Sequence, residues 1–184
     1  MFTTYAAKSS DRAGFVKFWA GEYDDPKEPL YTNNIGQTFT ALRVRQLFEW
    51  KNGSTLSAAK LRSVKQNFVA RIPNVRNLPA HTDARSFLKM FPKGGAIWRI
   101  FWLHCWQPNK FPIYDQHVHR AMAFIEEQRL EELPGQKDPY KVEQYLERYI
   151  LFHRQFQGMD QREVDKALWC YGRFIKTYRR FPTS

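Results

Sequence analysis

Between residues 92 and 120 the chain sets out Pro92-Lys93-Gly94-Gly95, an apolar run, and then Asn109-Lys110-Phe111-Pro112-Ile113-Tyr114-Asp115-Gln116-His117-Val118-His119-Arg120. A glycine-rich turn at the start of a helix can present backbone N–H groups and the positive helix end to a phosphate, with no side chain needed there. Twenty residues after Gly95, the carboxylate of Asp115 opens a second helix and is followed at once by His117, His119 and Arg120. An Asp in that place has two compatible readings. One is a helix N-cap. The other is an anion kept ionised by the helix dipole and the backbone N–H groups, able to stabilise a cationic sugar transition state or to orient a water, both of which are needed when an N-glycosidic bond breaks.

The elements that would position these residues read as helices. Breakers crowd residues 22–36, with Asp24, Asp25, Pro26, Pro29, Asn33, Asn34 and Gly36, which predicts a long loop or lobe connection. From Thr38, Phe39, Leu42, Leu47 and Trp50 recur near helical spacing until Asn52-Gly53. Ser54 or Thr55 opens a helix with Leu56, Leu61, Val64 and Phe68 as its buried stripe and Pro73 beyond its end. A short helix starts at Thr82 or Asp83 and stops at the 92–95 turn; Ala96–Trp106 is so apolar that it must be central to the core. Asp115 to Glu127 follows, with Val118, Met122 and Ile125 inward. Asp138-Pro139 then starts a helix that Gly158 closes. Asp160 with Glu163 resembles a capping box, and Val164, Leu168, Tyr171, Ile175 and Tyr178 form one face of a last helix. No strand pair, repeat or low-complexity tract is evident, so the fold class is all-α.

The 184 residues carry 29 Lys and Arg against 18 Asp and Glu, a net charge of +11. Hydrophobic residues at 43 % and aromatics at 16 % are enough to build a core, which excludes a disordered basic tail. Acidic residues gather in 22–28 and 126–143, whereas basic ones spread over 43–93 and crowd the end at Arg173, Lys176, Arg179 and Arg180. That asymmetry points to a basic face for nucleic acid, with a merely solvated surface as the other reading. Cys105 and Cys170 each sit in an apolar run, which fits buried thiols in a reducing compartment and not a disulfide framework. No run reaches the roughly 20 apolar residues of a bilayer span, and residues 1–10 lack the apolar core of a signal peptide. The expectation is a monomeric intracellular protein, cytoplasmic and nucleoid-associated, with no membrane partner.

At this point the segment Phe-Pro-Ile-Tyr-Asp-Gln-His-Val-His-Arg, residues 111–120, resembles the catalytic-aspartate segment of the helix-hairpin-helix (HhH-GPD) DNA glycosylases, and with the upstream glycine turn the resemblance covers roughly residues 85–125. It implies a two-lobed α-helical fold with a central helix-hairpin-helix, lobes of roughly 1–36 with 129–184 and 37–128, forming one domain over 1–184. It further implies Asp115 as the catalytic carboxylate that drives release of a flipped base, and Gly94, Gly95, His117 and Arg120 on the backbone of double-stranded DNA. A monovalent cation at the hairpin is implied as well; no other cofactor is expected. Three departures matter. Bifunctional members carry a Lys where this chain has Ala96 or Ile97, leaving Lys93 as the nearest amine. The hairpin reads Pro-Lys-Gly-Gly in place of Leu-Pro-Gly-Val-Gly. No cysteine quartet follows the Asp, so no iron–sulfur cluster is expected, nor, with two cysteines and five scattered histidines, a structural zinc.

A flipped base needs an aromatic slot and a few polar groups that read its edge. Trp98, Trp102, Trp106, Trp169, Tyr171 and Phe174 are the aromatic candidates, most of them core. In the oxidised-guanine members the last helix contributes to the pocket, which singles out Asp165, Lys166 and Trp169; a surface ion pair of Asp165 with Arg162 or Arg173 is the other reading. Asn33, Asn34 and Gln37 could bond bases or form a turn before Thr38. His117 and His119, two apart, point to different faces and are poor co-ligands. His81, His104 and His153 read as structural or surface residues. The activity expected is hydrolysis of the N-glycosidic bond of a modified base, either an oxidised purine or a bulky modified pyrimidine such as glucosylated hydroxymethylcytosine, in DNA repair or in anti-phage defence. Two rivals are a non-catalytic helix-hairpin-helix DNA-binding module and an RNA-binding helical protein.

Overall fold

A computed structural model describes residues 11–135 and 137–178. Residues 1–10 and the basic pair Arg179 and Arg180 lie outside them. Among the described residues every regular element is helical, so the all-α class stands. The chain enters through α1 (Arg12–Gly21), started by Asp11, whose carboxylate accepts the Gly14 N–H at 2.6 Å. It forms two compact units, Met1–Asp24 with Tyr114–Ser184, and Asp25–Ile113. The division therefore falls a dozen or so residues earlier at each crossing than the lobes expected above, and the packing within each unit shows why.

In the central unit, residues 25–36 are not a bare loop. Pro29 sits in the first turn of α2 (Glu28–Thr32), where a missing N–H costs nothing. This helix buries Tyr31 against Trp50, ring centroids 4.4 Å apart, and sets the Tyr31 hydroxyl 2.8 Å from His104 Nε2. Nδ1 of that imidazole lies 2.7 Å from the Phe111 carbonyl, so His104 is a buried structural residue. These ties hold the segment to the central unit. Next, α3 (Ala41–Asn52) begins after Thr40, whose hydroxyl accepts the Arg43 N–H, and ends on Gly53 at φ 70°. The α4 helix (Ala58–Asn67) is capped by Ser57 and not by Ser54 or Thr55. A 3-10 turn, Val69–Arg71, leads into α5 (Ile72–Arg76), where Pro73 occupies the first turn. Asp83 caps α6 (Ala84–Met90), and α7 (Ala96–Trp106) is the expected central helix: Ile100, Phe101, Trp102 and Leu103 have no exposed surface. Phe48 stacks on Phe68 at 4.3 Å and meets Phe101 edge-on at 5.4 Å. Each such side chain, fully buried, contributes about 1.5–3 kcal/mol. Leu42 and Leu61, expected in the buried stripes, face solvent instead, at 62 % and 36 % exposure.

In the terminal unit, α8 (Gln116–Glu127) packs on α11 (Gln161–Tyr178), as does α1. Phe15 meets Tyr171 edge-on at 5.2 Å and Trp19 lies 5.1 Å from Phe174. The helices approach so closely at Gly172 that a Cβ there would fall 1.9 Å from the His117 carbonyl oxygen. Only glycine permits that approach. The one helix expected over residues 138–158 is three pieces in series: α9 (Asp138–Glu143), a π-helical segment (Gln144–Tyr149) and α10 (Ile150–Arg154). Tyr145 and Tyr149 of the wide segment are fully buried. At the start of α11, the Asp160 carboxylate accepts the Glu163 N–H at 3.0 Å, but the Glu163 carboxylate takes Lys166 at 2.7 Å, so only half of a capping box forms. Cys105 and Cys170 are both buried and free.

Candidate active site

The sequence-predicted residues divide between the units. Asp115, His117, Arg120, Asp165 and Trp169 belong to the terminal unit; Asn33, Asn34, Lys93, Gly94, Gly95 and Trp98 belong to the central one.

Asp115 is half-buried at the N-terminus of α8, a helix of 12 residues. Its Oδ1 accepts the N–H of His117 at 2.8 Å and of Val118 at 3.2 Å. The N-cap role and the placement of a carboxylate at the positive helix end are thus one arrangement. Two residues on, the half-buried His117 ring lies 5.2 Å from Trp169 of α11. Trp169 in turn meets Tyr23 edge-on at 5.7 Å and carries the Arg173 guanidinium 5.3 Å over its face. A second guanidinium, Arg162, stands 5.1 Å over the Tyr23 ring. Two half-buried aromatics bracketed by cations suit a stacked base and a phosphate. Tyr23 was not foreseen, and Arg162 was weighed only as an ion-pair partner of Asp165; Tyr23 sits in an acidic stretch, so its chain neighbours gave no sign of cationic company.

Arg120 corrects an expectation. Its side chain is 1 % exposed and its guanidinium is committed: Nε and Nη2 donate to Glu132 at 2.8 Å each, and Nη1 donates to the Gly172 carbonyl at 2.6 Å. A group so enclosed ties α8 to α11 and does not reach a DNA phosphate in this structure. Hydrogen bonding from Arg120 holds the Glu132 carboxyl below its ordinary value. His119 is fully buried, with Nδ1 2.8 Å from the Tyr114 hydroxyl and Nε2 3.2 Å from Glu131. Burial pushes its imidazole below the ordinary range, with Glu131 pulling the other way. His119 is therefore the packing member of the pair.

In the central unit, the turn from α6 to α7 runs through Gly94 at φ 109° and Gly95 at φ 83°, backbone that L side chains rarely adopt. A Cβ on Gly94 would also stand 2.5 Å from the Phe68 ring. Arg99 of α7 reaches back to the carbonyls of Phe91 at 2.7 Å and Leu88 at 2.5 Å, fastening the turn. Lys93 is exposed. Trp98 is half-buried against Phe48 and Phe68. Asn33 is exposed, whereas Asn34 is 6 % exposed with its amide donating to the Leu30 carbonyl at 2.9 Å, so Asn34 closes α2. Asp165 is 4 % exposed, with His153 as a neighbour at 3.6 Å.

Charge is partitioned sharply. Residues 25–113 hold fourteen Lys or Arg and four Asp or Glu, a net +10 of the chain's +11. Several of these cations are held by neutral oxygens: Arg43 on the Thr38 carbonyl, Lys60 on Asn52, Arg76 on the Phe39 carbonyl and Lys110 on the Thr82 carbonyl. Such bonds position a charge without cancelling it.

Among the described residues no group of three or more His, Cys, Asp or Glu is placed to hold a metal, and no helix is long and apolar enough to cross a membrane. Compared with protein-family models, with curated proteins and with solved structures, the chain matches none.

Proposed function

We propose that the protein is a DNA glycosylase that hydrolyses the N-glycosidic bond of a modified base in duplex DNA, with Asp115 as its catalytic carboxylate. The observation that carries this reading is the Asp115 side chain: half-buried at the start of α8, held by two backbone amides, and two residues from the His117–Trp169 pair. The resemblance of residues 111–120 to the helix-hairpin-helix glycosylases supports it. In the reaction a water oxygen bonds to the sugar C1′ while the C1′–N bond breaks and its electron pair leaves with the base. Asp115 offsets the positive charge that builds on the sugar and takes one proton from the water, which passes to the departing base. The central unit, with its net +10, supplies the attraction for the phosphate backbone. Water attack, and not an amine adduct, is the route assigned, since Lys93 is the amine nearest the hairpin in sequence and lies before its glycines.

The test is base release from duplexes containing oxidised guanine, uracil, alkylated purines or glucosylated hydroxymethylcytosine, followed by alkali to cut abasic sites. Asp115→Asn keeps a good N-cap, so the helix stays intact. Strand breaks with the wild type and none with Asp115→Asn, at equal duplex affinity, are expected. Tight, salt-sensitive binding without base release from any duplex would replace this reading with a non-catalytic DNA-binding module. A borohydride-stable adduct through Lys93 would replace hydrolysis with amine chemistry.

A further inference from the structure

From Trp50 to Thr82 the chain runs for 33 residues without an Asp or Glu, and carries Lys51, Lys60, Arg62, Lys65, Arg71 and Arg76. The α4 helix lies in the middle of this stretch. A surface helix ordinarily sinks an apolar stripe at least about 100° wide into its neighbours, whereas α4 buries only Val64 and leaves seven of its ten residues exposed. Its start is held by the Ser57 cap and by Lys60, whose ammonium donates to Asn52 Oδ1 of α3 at 2.6 Å. With about 3.6 residues per turn, Ala58, Ala59, Arg62, Lys65 and Gln66 fan over the side opposite Val64. Among the described residues Arg62, Lys65 and Gln66 have no side-chain hydrogen-bond or ion-pair partner.

A patch that only attracted a polyanion would need charge and nothing more. The outward side of α4 instead sets one guanidinium and one carboxamide a helical turn apart, beyond two alanines. These are the two forked side chains that match base edges in the major groove: a guanidinium donates to guanine O6 and N7, while a carboxamide donates to adenine N7 and accepts from its N6 amino group. The alanines keep the first turn slim and offer methyl groups to a thymine methyl. The groove is about 12 Å wide and a helix with its side chains about 10–12 Å across. A helix can enter only if little of its circumference is fastened to the rest of the protein, and α4 is buried only at Val64.

We infer that α4 enters the major groove of duplex DNA and gives the protein a sequence preference, with Arg62 reading a guanine, Gln66 an adenine and Lys65 meeting a phosphate. Arg62 and Gln66 are about 6 Å apart along the helix axis, which at about 3.4 Å per base pair sets the two bases one or two steps apart. This inference rests on the glycosylase reading only for the partner being duplex DNA, and adds to it the sequence context in which a base is sought.

The test selects binders from a pool of unmodified duplexes of random sequence at one fixed salt concentration, then compares selected and scrambled duplexes by fluorescence anisotropy. Enrichment of a guanine and an adenine within two base pairs of each other is expected, with binding to the selected duplex at least about tenfold tighter. Arg62→Lys keeps the charge but not the planar fork, so it should lose at least about fivefold at the guanine position and bind the scrambled duplex as the wild type does. Gln66→Ala should do the same at the adenine. Lys65→Ala should weaken binding to both duplexes by one factor. All three positions are exposed, so the variants should melt with the wild type. Replacing the selected guanine by 7-deazaguanine removes its N7 acceptor from the major groove, and should weaken binding of the wild type but not of Arg62→Lys. A pool with no preferred sequence, or a preference that survives in Arg62→Lys and Gln66→Ala, would overturn the inference and leave α4 as a patch that only neutralises phosphates. Tighter binding to single-stranded RNA than to any duplex would overturn it too. Base release separates the two readings: release from modified duplexes without any sequence preference sinks the inference and keeps the glycosylase, whereas a preference lost in Arg62→Lys with no base released does the reverse.

Discussion

The Arg120 guanidinium shows how a cation drawn from a motif can serve a different end. Its bonds to Glu132 and to the Gly172 carbonyl are charge-assisted, and each contributes more than a neutral pair. Replacing Glu132 by Gln removes the compensating charge from a buried guanidinium, and a loss of about 1–3 kcal/mol in urea denaturation at pH 7 is expected. The Glu132 carboxyl sits below its ordinary 4.5 in the folded protein, so its contribution is present above pH 4.5 and is lost as pH falls through the folded value. The Glu132→Gln variant should lack that acid limb. His119 acts in a higher window. Its folded value lies below the ordinary 6.5, so the unfolded chain binds the proton first, and stability is full above pH 6.5 and declines as pH falls toward the folded value. A His119→Gln variant measured by denaturation at several pH values between 7.5 and 5 should show a flatter profile than the wild type.

Among the elements, the contact between α8 and α11 is the one that fixes Asp115 in place. Gly172→Ala puts a methyl group into the His117 carbonyl, backbone against backbone, with no flexible atom to yield. A loss of more than about 2 kcal/mol is expected, together with loss of base release, read by thermal denaturation and by the alkali assay. How much of this was legible in sequence follows from what each feature depends on. Asp115, Asp83 and Ser57 or Thr40 cap their helices through bonds two or three residues away. Local chemistry of this kind can be read from the chain, although for α3 and α4 other hydroxyl residues nearby competed for the cap and the starts shifted. The apolar run of α7 was equally plain, because a helix apolar on all sides has nowhere to go but the core. By contrast, the short α2 helix amid breakers is held by Tyr31 packing on Trp50, nineteen residues away in sequence. The partner of Arg120 lies on an irregular stretch beyond the end of α8. Periodicity carries no information about either. Nor does it report that His153 and Asp165, twelve residues apart on different helices, face each other.

At the scale of the whole molecule, the placement of charge decides how a polyanion is met. With net +10 in residues 25–113 and +1 in the remainder, the salt dependence of duplex binding should originate in the central unit. Each phosphate neutralised contributes about −0.9 to the slope of log affinity against log salt. Replacing the exposed α4 cations Lys60, Arg62 and Lys65 by Ala should flatten that slope by as much as about 2–3, measured by fluorescence anisotropy from 50 to 200 mM salt as roughly the range in which such slopes are read. The exposed Lys17 and Arg154 of the terminal unit, replaced in the same way, should leave it nearly unchanged. Equal flattening from both sets would show that backbone contacts are spread across the molecule.

The wide turn over Gln144–Tyr149 sets a tolerance on chain length. A π-helix closes its bonds five residues back where an α-helix closes them four back, so the wide segment takes up one residue more than ordinary winding through nearly the same angle. Deleting Glu147 would let the segment return to ordinary winding with the residues beyond it nearly in phase, so Phe152 and Phe156 stay in the core and His153 keeps facing Asp165. An inserted residue, with no further widening to absorb it, would turn those side chains away by about 100°. The protein should therefore accept a one-residue deletion at the exposed Glu147 and reject a one-residue insertion there, read by thermal denaturation.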